Sequence, residues 1–416
     1  MPVHLSRNSK TVLLVPEPLE LSPSPSAYLD AFRALAALSV MFSHLRAFCF
    51  VEYGSVQQIH PTALVNTFYG TTRFGHQSVM VFFVLSGFLI SSSVFRKLHQ
   101  GAWSWRDYAI DRSVRLYAVL IPGLVLGYTW DSLGVKAFNS SGIYSAPLPP
   151  FGTTVPINDL SLKAFIGNLL FLQNRFAPVF GSNGPLWSLF NEFWYYVLFP
   201  AIVFALLYAL KSRMASAFAC TLIAIFACWI LQGQLEGFVI WLFGCGVSLF
   251  VRYASFKARA RWLLAPFICC SGIALAFSLR PEGADLWVGV SFAFLLYGVL
   301  QLHRPVGRFF MNSFRSFAEF SYSLYVLHFP LMFLVRAAFF PSIRWQPDGR
   351  HMFYAGCIST CVLGYAFAIA QVTEANTPKI RLWVRRNFNG NQRDLKMKSS
   401  QVGAAVETEG GLSIGR

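Results

Sequence analysis

Charge is what this chain has least of. Of its 416 residues only 12% are Asp, Glu, Lys or Arg, about half the share of a soluble globular protein. So few charges cannot cover a water-facing surface, and the 55% of hydrophobic residues must largely face hydrocarbon. A soluble protein of two or three domains is therefore excluded. The apolar runs lack period-two alternation, which excludes a transmembrane barrel. A Gly-rich nucleotide loop, a Cys/His spacing typical of metal sites and a pair of related halves are all missing. The eight cysteines (Cys49, Cys220, Cys228, Cys245, Cys269, Cys270, Cys357 and Cys361) sit mostly inside apolar runs and read as small packing residues. Neither a disulfide nor a bound metal is expected. Residues 1–26 hold Pro16, Pro18, Pro23 and Pro25 and no uninterrupted apolar core, so they read as a disordered cytoplasmic arm, not a secretory leader.

What the chain does have is apolar length. A bilayer-crossing helix needs about 20 mostly apolar residues. Ten stretches qualify, at about 28–50, 76–95, 113–130, 186–210, 214–232, 235–251, 262–280, 285–303, 317–340 and 352–374. The predicted fold class is all-α: a polytopic transmembrane helical bundle in a lipid bilayer. The fifth and sixth stretches nearly touch at Gln232–Gln234 and predict a tight hairpin.

The net charge of +16 could point to nucleic acid, but the basic residues cluster between apolar stretches and form no single patch. They report topology instead, and no nucleic-acid partner is expected. A cytoplasmic N-terminus places 24 Lys and Arg inside and 8 outside, a bias that basic loops impose because they resist translocation. An even span count returns the C-terminus to the cytoplasm. Residues 27–376 then form the transmembrane domain, with an outer loop at about 131–185, and residues 377–416 form a disordered basic tail. The outer loop reads equally as a lid or acceptor-binding element and as a passive connector. Within it, Leu160–Gln173 could lie as a helix on the membrane face.

Ionisable side chains inside spans cost several kcal/mol, so each is a candidate site. The first span carries Asp30, Arg33 and His44. At ~100° per residue, eleven steps bring His44 to within about 20° of the Arg33 face, roughly 16 Å further along the axis. Asp30 lies one turn before Arg33, on the same stripe. Imidazole is the side chain best suited to taking a proton near neutral pH. Alone, His44 would read as a helix-packing residue and Arg33 as a snorkelling anchor. Three ionisable groups on one stripe favour a site.

Five segments together resemble one family. Leu29-Asp30-x-x-Arg33 followed by His44, the run Phe82–Ile90 (FFVLSGFLI), and Arg112-Ser-Val-Arg115-Leu116 are the first three. Pro185-Leu186-Trp187-Ser188-Leu189 with Glu192 and Phe199-Pro200, and Ser321–Tyr325 (SYSLY) with His328 and Pro330, complete the set. In register from about 28 to 330, they are similar to the motifs of the membrane acyltransferase-3 family, the integral-membrane O-acyltransferases of bacterial polysaccharides. The fourth-span block departs from the family pattern in one respect, since Phe193 follows Glu192 where a second acid is common. The appended extracellular hydrolase-like domain of some relatives has no counterpart here.

The resemblance implies a multi-pass protein of the bacterial inner membrane that transfers an acyl group, acetyl first among the choices, from cytoplasmic acyl-CoA to a hydroxyl of a glycan or lipid-linked glycan. Acyl-CoA is then a donor substrate, with no permanently bound cofactor. Arg112 and Arg115, three apart, should face one way and could grip the phosphates of coenzyme A, or could merely anchor topology. His44 would be general base or transient acyl carrier, Asp30 would hold Arg33, and Glu192 would orient His44 or bind a sugar hydroxyl. Ser321, Tyr325 and His328 share a helix face and are candidate substrate-binding residues. Glu319 is a weaker candidate, about 180° from His328 on that helix. Ser86-Gly87 reads as a helix-packing pair. The rival reading is an exporter of glycan or acylated substrate without transferase activity.

Overall fold

In lipid, a backbone satisfies its own polar groups by winding into helices. The computed structural model describes residues 23–58, 61–144, 160–253, 270–272, 284–301, 307–340 and 344–388, and no strand occurs among them. The helices used below are α1 (Pro23–Cys49), α2 (Ala63–Thr71), α3 (Gly75–His99), α4 (Trp105–Phe138), α5 (Leu162–Leu169), α6 (Trp187–Leu210) and α7 (Met214–Ile230). They continue with α8 (Leu235–Tyr253), α9 (Ala284–Leu300), α10 (Arg308–Glu319), α11 (Ser321–Phe339), α12 (Gly349–Val372) and α13 (377–388).

Among the described residues, six segments are long and apolar enough to cross a bilayer: Ser26–Cys49, Ala63–His99, Trp105–Phe138, Gly184–Leu210, Ser321–Phe339 and Gly349–Phe388. Met214–Ile230, Leu235–Val251 and Ala284–Leu300 are apolar but shorter. The expected seventh span, 262–280, lies outside the described residues apart from a helical fragment at 270–272. The expected hairpin turns at 231–234, where Gly233 adopts φ 85°. Its arms then part: α7 packs mainly on α6, and α8 on α3 and α9.

Two boundaries differ from the sequence reading for identifiable reasons. The stretch expected as one helix over 317–340 breaks at Phe320 into α10 and α11. α10 alternates Asn312, Arg315 and Ser316 with exposed Phe309, Phe310 and Phe317, the pattern of a helix lying at an interface. The tail expected to be disordered over 377–416 lies outside the described residues from 389 onward, and its first part, 377–388, forms α13. Asp111 of α4 holds it through Arg385 Nη2 at 2.7 Å and Arg381 Nε at 3.5 Å.

α3 is the central helix, packed by α1, α6, α8 and α9. Its contact with α8 is close because glycines face backbone on both sides. A Cβ on Gly87 would overlap the Trp241 carbonyl, and one on Gly244 would overlap the Val84 carbonyl. α11 packs against α1, α4 and α12. Arg336, only 5% exposed, pins α11 to the end of α1 by donating from Nη1 to the Phe48 carbonyl at 3.0 Å. That contact caps one of the terminal carbonyls that α1 cannot satisfy itself.

Candidate active site

The functional side chains come from α1, α3, α4, α6 and α11. On α1, Asp30 and Arg33 stand one turn apart and their side chains pair at 3.4 Å. The Arg33 Nη2 also reaches the Ala318 carbonyl at the end of α10, at 3.5 Å. Three turns further along α1, His44 meets α11: its Nδ1 lies 2.8 Å from His328 Nε2. The two rings lie edge to edge, with centroids 5.0 Å apart and planes 15° from parallel. Phe329 packs edge-on against His44, at 5.0 Å and 87°. The second nitrogen of His328, Nδ1, lies 2.8 Å from the Leu324 carbonyl one turn back on α11. His328 is fully buried and His44 half-buried.

A cleft of about 730 Å³, counted to its open mouth, runs between α1, α3, α4, α6 and α11. Its polar lining is Arg33, Ser86, Arg115, Ser188, Glu192, Tyr196, Ser321, Tyr322 and Tyr325. Tyr325 belongs both to this lining and to the surroundings of His328. The Tyr325 hydroxyl lies 2.7 Å from Ser188 Oγ and donates to the Pro185 carbonyl at 3.1 Å, and its ring is 6.2 Å from that of His328. The histidine pair therefore sits just behind Tyr325, outside the cleft lining. Glu192 accepts from the Tyr196 hydroxyl, one turn on in α6, and from Ser86 Oγ at 3.5 Å. Trp241 Nε1 donates to the same Ser86 Oγ at 3.2 Å. Ser86 thus does more than permit packing, while Gly87 does the packing.

The sequence-predicted residues separate here. Arg33, Arg115, Glu192, Ser321 and Tyr325 line one cleft, and His44 and His328 touch each other beyond it. Arg112 and Arg115, expected to face one way, diverge. Arg115 lines the cleft, whereas Arg112 lies over the rings of Tyr108 and Tyr196 at 5.6 and 6.0 Å. The physical reason is the aromatic pair, which offers Arg112 a cation–π surface on the flank of α4. Glu319 faces away from the cleft and pairs with Arg315 at 3.0 Å, both side chains well exposed. Glu192, expected to orient His44 or bind a sugar hydroxyl, turns to Tyr196 and Ser86 and not to the imidazole.

Glu374 is the residue that sequence reasoning missed. It follows α12, yet its Oε2 accepts from both the backbone N–H and the Oγ of Ser323, each at 2.9 Å. It also lies within electrostatic reach of Arg33 and Arg115. The signal was present in the sequence: a carboxylate at the last position of an otherwise apolar stretch. Arg115 thus lies within electrostatic reach of Glu192 and Glu374, and Arg33 of Asp30 and Glu374.

The chain is a helical membrane protein in which an arginine-lined cleft lies beside a contacting pair of histidines. More specifically, the chain belongs to the acyltransferase-3 family: that family's acyltransferase-domain profile matches residues 26–369, nearly the whole chain. Neither the curated proteins nor the solved structures compared with it yield a match. The protein is a multi-pass membrane acyltransferase.

Proposed function

We propose that the protein moves an acyl group, acetyl first, from cytoplasmic acyl-CoA to a hydroxyl of a cell-surface or exported glycan at the inner membrane. The observation that carries this reading is the sequence of groups along α1 and α11. Cations line a cleft that reaches from Arg33 to Tyr325, and a paired imidazole lies directly behind Tyr325. Arg115 and Arg33 suit a donor's phosphates, because planar guanidinium groups bind them bidentately. Arg112 would assist only after leaving its aromatic rings. Asp30 holds Arg33 in place. Glu192 and the hydroxyls of Ser321 and Tyr325 suit hydrogen bonds to either substrate.

On this reading His44 removes the proton of the acceptor hydroxyl as its oxygen attacks the thioester carbonyl. The carbon–sulfur bond breaks, and the departing thiolate recovers the proton from the imidazolium. In the alternative order the imidazole attacks first, coenzyme A leaves, and the acyl-imidazole passes the acyl group to the hydroxyl. A burst of CoA release without acceptor marks the second order.

The test is label transfer in inverted membrane vesicles given labelled acetyl-CoA and a glycan acceptor. His44→Ala, at unchanged protein level, is expected to lose transfer by about 10²–10⁴-fold, the contribution of a positioned acid–base group. Full transfer in that variant removes His44 from the chemistry. Movement of glycan across the vesicle membrane with no acyl transfer would favour an exporter.

A further inference from the structure

The hydrogen bonds around the histidine pair determine which nitrogen of His44 can react. A backbone carbonyl only accepts, so the 2.8 Å contact between His328 Nδ1 and the Leu324 oxygen requires a proton on His328 Nδ1. In the neutral ring that leaves Nε2 as the lone-pair nitrogen. His44 Nδ1, 2.8 Å away, must then be the donor, and His44 keeps its own lone pair on Nε2. The competing assignment makes His328 an imidazolium that donates to His44. Among the described residues no carboxylate contacts His328, which is fully buried beside Tyr325 and Phe329. A buried cation without a counter-charge is costly, so the neutral chain of donors holds.

We propose that His328 is a positioning residue that locks His44 in the Nδ1–H tautomer, making His44 Nε2 the single atom able to take the acceptor's proton or carry the acyl group. This assignment rests on the acyl-transfer reading above for its consequence, though not for its geometry. It replaces the substrate-binding role expected of His328, because both ring nitrogens are already committed within the protein. The lock opposes the intrinsic preference of a free neutral imidazole, whose commoner tautomer carries the proton on Nε2. It also handles charge. When Nε2 takes a proton, His44 becomes a cation whose Nδ1–H points at the lone pair of His328. The charge stays on the half-buried His44, its Nδ1–H bond to His328 strengthened, until the thiolate claims the proton on Nε2 of His44. Every proton is accounted for, and no further group is needed. Edge-on Phe329 keeps His44 from swinging out of this line.

The test uses the full chain in liposomes with ¹⁵N-labelled histidine, the His44 signals being assigned by their loss in His44→Gln. Wild type should show His44 protonated at Nδ1 and a nitrogen–nitrogen correlation from that atom to His328 Nε2. His328→Ala should move His44 toward the Nε2–H form and reduce label transfer at least tenfold. His328→Gln keeps an acceptor oxygen near the Nε2 position, so it should retain the Nδ1–H signal and more transfer than His328→Ala. It also serves as the folded variant if His328→Ala does not accumulate. A wild-type His44 protonated at Nε2 overturns the proposal. So does a His328→Ala, or in its absence a His328→Leu, that leaves both tautomer and transfer unchanged. If the tautomer follows residue 328 as expected but wild-type vesicles transfer no label, the lock stands and the acyl-transfer reading fails.

Discussion

Replacing Glu374 with Gln isolates what a single charge does at the seam between stability and ligand binding. The first residue of α11 follows Phe320, an N-cap whose side chain offers no acceptor to the helix. Glu374 supplies that acceptor from another element: one oxygen takes both the Ser323 N–H and the Ser323 Oγ–H at 2.9 Å. A carboxylate at a helix N-terminus is favoured by the helix dipole as well. Hydrogen bonds to a charged acceptor contribute ~1.5–3 kcal/mol each and those to a neutral one ~0.5–1.5 kcal/mol. Two such bonds, reduced from charged to neutral, amount to a loss of about 2 kcal/mol. Glu374→Ala removes both bonds and leaves a half-buried N–H without its acceptor, so its loss should be larger, about 3–5 kcal/mol. The readout is thermal unfolding of the full chain in lipid nanodiscs. Glu374→Gln should be less stable than wild type, and Glu374→Ala less stable again. A second readout moves the opposite way. Because Glu374 faces Arg33 and Arg115, removing its charge leaves both arginines freer for an anionic donor. The KM for acetyl-CoA in vesicles should fall for Glu374→Gln even as stability drops. A Gln variant as stable as wild type refutes the capping argument. A raised donor KM in a folded Gln variant refutes the electrostatic one.

Other substitutions probe the frame around the site. Gly244→Ala should destabilise the protein by about 1–3 kcal/mol, because the added carbon meets the Val84 carbonyl across the α3–α8 contact. Gly246→Ala, with open space around it, is the matched control and should melt like wild type. Arg336→Met keeps the apolar stem of the side chain but strips the Phe48 carbonyl of its donor. It should cost about 1–3 kcal/mol, measured by denaturant titration, with donor KM unchanged. At the N-terminal end of α12 the Asp348 side chain caps the helix by accepting from the His351 N–H at 2.9 Å. That hydrogen bond holds the Asp348 carboxyl below its ordinary value of 3.8. The cap is therefore present above the ordinary value and lost as pH falls through the lowered one. Hydrogen exchange at His351 should accelerate in that acid window in wild type and be fast at all pH values in Asp348→Ala.

How much of this was legible in the sequence depends on what kind of information each feature carries. The helical class follows from the apolar runs, since a bilayer permits little else. The stripe of Asp30, Arg33 and His44 was legible because helical periodicity is local, and in the structure Asp30 does pair with Arg33. Which partner helix meets His44 was not legible. His328 lies 284 residues away, and only the packing of α11 on α1 brings the two together. The same limit explains Arg112. Spacing places it near Arg115, but the rings that draw it aside belong to Tyr108 on its own helix and to Tyr196 on α6. Glu374 was hidden by its position, at the end of a span where an acid ordinarily meets water.

The break at Phe320 ties these cases together. Had residues 317–340 formed one continuous span, the Ser323 N–H would have bonded within that helix, and Glu374 would have had no terminal donor to meet. Breaking the chain there lays α10 aside as an interfacial helix and exposes the start of α11. Two consequences follow from that one discontinuity. The free N–H groups of α11 draw a carboxylate to within electrostatic reach of Arg33 and Arg115, at the charged part of the cleft. The end of α10 supplies the Ala318 carbonyl that receives Arg33. About one and two turns further along α11, with the helix direction already set by that capped start, Tyr325 and His328 arrive at the cleft lining and at His44. Substitutions that restore a continuous helix through Phe320 should therefore disturb arginine and histidine geometry together, although they touch neither.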